Sequence, residues 1–498
     1  MTTIENREMP IKITMARESV PFIEPYRAYC ALRRRYGDEG VYLLESLAGP
    51  EVDTRSAMVG FNALASIFIY GTTVTVEGRG NLRDRILSVL RRVPGVSVTQ
   101  NKAEIPEDHT IWIMLRAIQA EFDCTANSQK DGYNFGFFGF LGYDTVRFVE
   151  RLPLIIPRRE EAVDSCLVIF QGAVRFDLVR QTVQVRIANA PEWPTIEPSA
   201  IAKVLGDAPP VEGSGPNATA AKRVSGSTTK ERYLEDAKTA LDYIGIGDIY
   251  QVQLGQELTI ETDLSPEDVY LRLRGRNPAP YMYLAKFGPV TLVGASPEVF
   301  VRLERDEIVM RPLAGTVRPG KTDAATARAS KKLRNDPKEV AEHVMLVDLC
   351  RNDIGRVCTP GSLTVTSLLA TERYSHVIHL VSNVVGQLHA GKDIYDLIAA
   401  SFPAGTMTGA PKIRAMEIIE ELEMTRRGIY AGAIGLIDFS GDANLALCIR
   451  TAFHENGKFH IRASAGIVAD SRPEAEWNET LAKLGATYWA ITGEEIAQ

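Results

Sequence analysis

The sequence predicts an α+β protein in which antiparallel sheets carry packed helices. Three observations point there. The β-like runs come in adjacent pairs, such as SCLVIFQGAVRFD with TVQVRIAN between 165 and 190, and do not alternate singly with helices. The segments between the pairs are amphipathic at helical period. The 498 residues are 45% hydrophobic and 24% charged, enough for a large core beneath a polar surface.

In chain order, residues 20–150 mix short strands (VYLLES, SIFIYGTTVTVEG) with amphipathic helices (PYRAYCALRRRYG, NLRDRILSVLRRV). The segment GFFGFLGYDTVRFVERLP at 136–153 combines glycine with aromatics, which predicts close packing of backbones. Residues 206–229, GDAPPVEGSGPNATAAKRVSGSTT, are small, polar and without apolar periodicity, and read as an exposed linker. They divide a region 1–205 from a region 230–498. Beyond them come a helix in ERYLEDAKTALDYIGIGD and a strand in YQVQLGQELTIE. Two hairpin-like pairs follow, PYMYLAKFGPVTLVGASPEVFVRL and DEIVMRPLAGTVRPG, then a central helix and a helix from Pro411. The last strands are YAGAIGLIDF, LALCIRTAF and KFHIRASAGIVAD.

Composition excludes several classes of partner. A net charge of -7 gives no electrostatic reason to expect nucleic acid or an anionic membrane. No run of eighteen apolar residues predicts a membrane span. The N-terminus lacks the basic head and apolar stretch of a signal peptide. Six scattered cysteines without a CxxC fit thiols used as small hydrophobes in a reducing, cytoplasmic setting.

The central helix, DPKEVAEHVMLVDLCRNDIGR at 336–356, is expected to bury a stripe of Val340, Val344 and Val347. Glu339 and Glu342 stand one turn apart on a neighbouring face, so both carboxylates can address one point. Glu476 and Glu479, with Lys483 a turn further on, repeat the arrangement near the C-terminus. Two carboxylate pairs on two helices suit a hard, oxygen-seeking cation such as Mg2+, although such pairs taken singly are usually solvated helix faces. Gly315 to Thr322, GTVRPGKT, satisfies the GxxxxGK[ST] pattern of a phosphate loop. Against that reading, Pro319 removes a backbone N–H where phosphate would be cradled, and no parallel βαβ setting surrounds it.

The stretches GASPEVF, RPLAGT, DPKEVAEHVMLVDLCRNDIGRVC, ERYSHVIHLVSNV, FPAGTMTGAPKIRAMEIIEELE and ASAGIVADSRPEAEWNET occur in the order found in one family. From about Glu231 onward the sequence resembles the chorismate-utilising enzymes, and along its whole length it is similar to the large subunits of anthranilate synthase. The resemblance implies two antiparallel β-sheets packed as a sandwich with flanking helices. It makes 230–498 the chorismate-binding catalytic region and 1–205 a regulatory region that completes the sheets.

Chorismate is a dianion, so the resemblance assigns one carboxylate to Mg2+ and the other to cationic and N–H donors. It implies Glu342 and Glu479 as direct Mg2+ ligands, with Glu339 and Glu476 close by through water. Thr316, Tyr430, Arg450, Lys483 and the backbone around Ala465 and Gly466 match substrate-holding positions. Glu298 matches the general acid for the departing C4 hydroxyl, chemically required because hydroxide leaves poorly. His376 matches the histidine of the elimination step, whereas His379 is read as structural. Gln251 stands where water-adding relatives carry a lysine base, and Ala314 where aminodeoxychorismate synthases carry a lysine. Together these imply ammonia as nucleophile at C2, loss of the C4 hydroxyl, then elimination of pyruvate to anthranilate. The alternative is an enzyme that stops at 2-amino-2-deoxyisochorismate. The family's usual VVLSQ reads VQLGQ here, so Gln253 and Gly255 are departures.

No Gly-x-Cys-x-Gly nucleophile elbow is present. The resemblance therefore implies a separate glutamine amidotransferase subunit that supplies ammonia from glutamine, and so a hetero-oligomer. It also implies a regulatory site for L-tryptophan, formed by Glu45 and Ser46 of LLES and by Asn277, Pro278, Pro280, Tyr281 and Met282.

Overall fold

The computed structural model describes residues 9–49, 56–125, 132–159, 162–210, 221–374 and 377–497. Its strands pair into two antiparallel ladders that share one long pair, Ser165–Asp177 with Ser56–Tyr70. The first ladder leaves this pair through Val41–Glu45, then Tyr281–Phe287, Val290–Ser296, Thr451–Glu455, Lys458–Ile467 and Gln251–Glu261. The second leaves it through Gly136–Leu141, then Ala433–Asp438, Ala443–Leu447, Val299–Glu304, Glu307–Met310 and Ile378–Gln387.

Side chains from both ladders fill the layer between them. Tyr42, Phe68, Phe138, Phe140, Tyr283, Phe287, Leu292 and Ile434 form one buried cluster, and the rings of Tyr42 and Phe138 stack with centroids 3.8 Å apart. Helices cover the outer faces. Pro25–Tyr36, Pro266–Arg276 and Pro473–Thr492 bury apolar stripes on the first sheet, and Asn81–Arg91, Thr110–Gln119 and Pro337–Gly355 on the second. This is the α+β sandwich that the resemblance implied. The close packing expected of GFFGFL is real: a Cβ on Gly139 would fall 2.0 Å from the Cys166 carbonyl oxygen of the neighbouring strand.

Strands from before and after residues 206–229 pair in both sheets, at Val41–Glu45 with Tyr281–Phe287 and at Gly136–Leu141 with Ala433–Asp438. Within that stretch, Gly206 ends the helix Pro198–Gly206 and Arg223–Gly226 is a strand on Gln251–Glu261; residues 211–220 lie outside the described set.

Three local expectations are corrected. The central helix, capped by the Asp336 carboxylate on the N–H groups of Lys338 and Glu339, buries His343, Leu346, Val347, Cys350 and Ile354, while Val344 is 42% exposed. Val347 is buried as expected, but Val340 is only half-buried and the inward position beside Val344 is taken by His343, which turns to the Ser382 hydroxyl at 2.7 Å. LALCIRTAF is two strands, broken at Arg450, whose φ is +52°. The runs EIVM and LAGTV do not form a hairpin; both pair with Ile378–Gln387.

The phosphate-loop reading also finds no support. Gly315 lies inside the antiparallel strand Leu313–Val317, and the Thr322 hydroxyl is spent capping the helix Asp323–Arg334. Among the described residues, no helix is long and apolar enough to cross a membrane.

Candidate active site

The chain passes from the first sheet to the second between Val290–Ser296 and Val299–Glu304, and Glu298 sits on that crossing. It returns between Ala443–Leu447 and Thr451–Glu455, with Arg450 on that crossing. The two crossings are bonded to each other: Leu447 N–H donates to the Glu298 carbonyl at 3.0 Å, and Ala295 N–H to that of Arg450 at 3.1 Å. Acid and cation are thereby brought to the same seam.

Glu298 is 7% exposed. Burial pushes its carboxyl up to about 8, opposed by the Thr406 hydroxyl, the Leu313 N–H and the charge of Lys483. A carboxyl with that environment keeps its proton at neutral pH and can give it to a leaving group. Arg450 donates to the Lys483 carbonyl at 2.6 Å and has no ion-pair partner among the described residues, and burial holds its guanidinium below the usual range. A half-buried guanidinium without an ion-pair partner has the chemistry to receive an anion.

The paired strands Gln251–Glu261 and Lys458–Ile467 form the floor. Val252 and Leu254 face the helices behind, whereas Gln251 and Gln253 turn to the other face, toward Gly466. A Cβ on Gly466 would lie 2.5 Å from Gln251 Nε2 and 3.0 Å from Gln253 Nε2, so only glycine lets both amides close in. Gln251 is 5% exposed, and its Oε1 has no hydrogen-bond partner among the described residues. An orphaned buried acceptor marks a place where a donor is expected. Ala465 is fully buried opposite Leu254, so only its backbone is available to a ligand. The Tyr430 hydroxyl meets the Ser464 hydroxyl at 2.6 Å, and Lys483 Nζ donates to the Ser464 carbonyl at 2.8 Å.

The two carboxylate pairs face each other. Burial pushes Glu342 up to about 7, with Glu339, Glu479 and Glu476 adding to the rise and Lys338 opposing it. Glu339 and Glu476 are raised as well, by burial first and then by neighbouring carboxylates. Gly315 is needed beside them, since a Cβ there would lie 2.7 Å from Glu339 Oε2. Among the described residues no three carboxylates stand in a preformed ligating cluster. The donor set nonetheless fits Mg2+, which keeps several waters and takes one or two protein carboxylates together with substrate oxygens.

His376 lies outside the described residues. Among the described residues, His379, expected to be structural, lies beside the cleft. Its Nδ1 lies 2.9 Å from the Gly315 carbonyl and 3.1 Å from the Thr316 hydroxyl. Burial lowers its pKa, and the charges of Arg450 and Lys483 act on it in the same direction. Its signal was present, three residues on in the same HVIHL match. Ala314 is in register with Leu380 on the strand Ile378–Gln387.

Between the sheets, away from this cleft, opens a cavity of about 910 Å³. Glu45, Ser46, Pro280, Tyr281 and Met282 line it, but Asn277 and Pro278 do not. The Glu45 carboxylate is already occupied, accepting two bonds from Arg274 and one from the Tyr270 hydroxyl.

Comparison with known proteins places these features in a family. The family model for chorismate binding enzymes matches residues 77–488. The 2-amino-4-deoxychorismate synthase of Streptomyces globisporus is 48% identical over 98% of both chains. Anthranilate synthase component 1 of Pseudomonas putida is 37% identical over 90% of both. The crystal structure of anthranilate synthase component I from Streptococcus pneumoniae TIGR4 superposes with a TM-score of 0.69 at 29% identity, covering 87% of this chain and 92% of that one. The chain belongs to the family of chorismate binding enzymes, alongside anthranilate synthase component I.

Proposed function

We propose that the protein aminates chorismate at C2 and releases the product with its enolpyruvyl ether intact. That product, 2-amino-4-deoxychorismate, carries an amine at C2 and no hydroxyl at C4; it has the same connectivity as 2-amino-2-deoxyisochorismate. The observation that carries the reading is the full-length similarity to a synthase of that name, at 48% identity. The cleft supports it. Gln251 places an amide where a lysine base would be needed to activate water, so ammonia, already a nucleophile, is the favoured attacker. As the C2–N bond forms, the ring double bonds shift and the C4–O bond breaks, with Glu298 giving its proton so that water leaves.

The donor chemistry of Glu339, Glu342, Glu476 and Glu479 suits a resident Mg2+, which would neutralise one substrate carboxylate and orient the ring. Arg450, without an ion-pair partner among the described residues, would hold the other. Ammonia is proposed to come from glutamine through a separate amidotransferase subunit. The cavity at Ser46 and Pro280 is the proposed tryptophan site, with backbone carbonyls as partners for the amine because Glu45 is taken by Arg274 and Tyr270.

The second reading is anthranilate synthase itself, favoured by the Pseudomonas putida and Streptococcus pneumoniae relatives. Incubation with chorismate, Mg2+ and ammonium, followed by product mass and a pyruvate assay, separates the two. An aminated, pyruvate-retaining product supports the first reading; fluorescent anthranilate with equimolar pyruvate overturns it in favour of the second.

A further inference from the structure

The two departures from the VVLSQ pattern, Gln253 and Gly255, converge on one residue of the neighbouring strand. Gln253 stands opposite Gly466 and Gly255 opposite Ser464, so all lie on the cleft face of the paired strands. The Ser464 hydroxyl donates to Gln253 Oε1 at 3.0 Å. A Cβ on Gly255 would come within 3.0 Å of Ser464 Cβ and 2.6 Å of the Ala463 carbonyl oxygen, so a serine at 255 would press on Ser464. Gln253 is 8% exposed and Ser464 2%, which leaves bulk water little access to these bonds.

A serine hydroxyl has one proton to give. With that proton on Gln253, the 2.6 Å bond between Ser464 Oγ and Tyr430 runs with the tyrosine as donor. Tyrosine also has a single proton, so its oxygen then meets the cleft with lone pairs only. We propose that Gln253 is a positioning residue that fixes the polarity of the Tyr430–Ser464–Gln253 chain, making Tyr430 an acceptor toward the cleft and leaving the second substrate carboxylate to Arg450. This rests on the amination reading and deepens it. An acceptor at that point suits an N–H of ammonia or of an amine, and disfavours a carboxylate oxygen. Without an acceptor at 253, the Ser464 proton can turn to Tyr430, and Tyr430 can donate into the cleft.

The test is chorismate binding by calorimetry with Mg2+ and no ammonia, so that no turnover intervenes. Gln253→Val is expected to tighten binding about tenfold, the scale of one hydrogen bond to a charged group. Tyr430→Phe added to Gln253→Val should cancel that gain. Gln253→Glu, which keeps an acceptor, should show none. If Gln253→Val fails a thermal-melting check, Gln253→Met fills similar volume without an acceptor and carries the same expectation. Binding that does not tighten, or a gain that survives Tyr430→Phe, overturns the proposal. The product assay is read separately: anthranilate from the wild-type protein would overturn the amination reading, whereas an absent coupling would overturn the polarity of the chain whatever the product.

Discussion

Lys483 Nζ lies 2.6 Å from Oε1 of Glu479, one helical turn before it. The lysine thus neutralises one of the four carboxylates, and a divalent cation would have to share or displace it. Glu342→Gln and Glu479→Gln are each expected to lower turnover about 100-fold or more while leaving the melting temperature near that of wild type. Titration of chelator-treated enzyme with Mg2+ checks this. Wild-type rates in either variant at limiting Mg2+ would contradict the assignment.

Glu298 sets an upper pH limit. Its carboxyl, raised to about 8 by burial, is protonated below that value and ionised above it. A proton donor is present on the acid side only, so kcat is expected to fall as pH rises through about 8. Glu298→Gln should lower kcat about 10²–10⁴-fold and abolish that limb. A pH–rate profile with ammonia held constant as the free base provides the measurement.

His379 is expected to contribute to turnover. Burial holds it below the usual histidine range, so it is neutral at pH 7, anchored to the Gly315 carbonyl and beside Thr316. His379→Met is expected to reduce kcat about 100-fold, within the range for a general acid–base group. A residual rate above half of wild type would show that the ring only packs.

The floor of the site depends on a buried ionic cluster. The Glu423 carboxylate accepts from Arg427, from Arg462 at 2.6 Å and from the Gly255 N–H at 3.0 Å. Burial opposes its ionisation, but the two arginines win and hold it below the ordinary carboxylate range. Its stabilisation is therefore present above the unfolded-state value near 4 and lost as pH falls through the lower folded one. Glu423→Ala takes the ion-pair partner from buried Arg427 and leaves buried Arg462 only Glu257 at 4.0 Å, and should destabilise the protein by about 3–5 kcal/mol. Chemical denaturation at pH 7 would show the loss.

The architecture was legible because its signals are local. Paired strands announce antiparallel sheets, and the span Ser165–Asp177 could be read from its own β-branched and aromatic run. Long motifs located Glu298, Arg450, Lys483 and the four glutamates. The missed features depend on which way a side chain turns. His343 carries no apolar signal, yet it is fully buried where Val344 was expected. The break at Arg450 depends on a positive φ that an arginine does not advertise. His379 shares a motif with His376, which lies outside the described residues, and its place beside Gly315 and Thr316 is set by strand register. Arg274 lies 229 residues from the carboxylate it satisfies at Glu45, a distance no periodicity bridges.

Glu298 and Arg450 stand on the two strand crossings that stitch the sheets together. Most enzymes could tolerate a small shear between packed layers, because each layer carries its own side chains with it. Here Glu298 and Arg450 belong to neither layer alone, because each sits on backbone that runs from one sheet into the other. The relative position of Glu298 and Arg450 is therefore set by the chain's own crossings between the sheets, and not by side-chain packing alone.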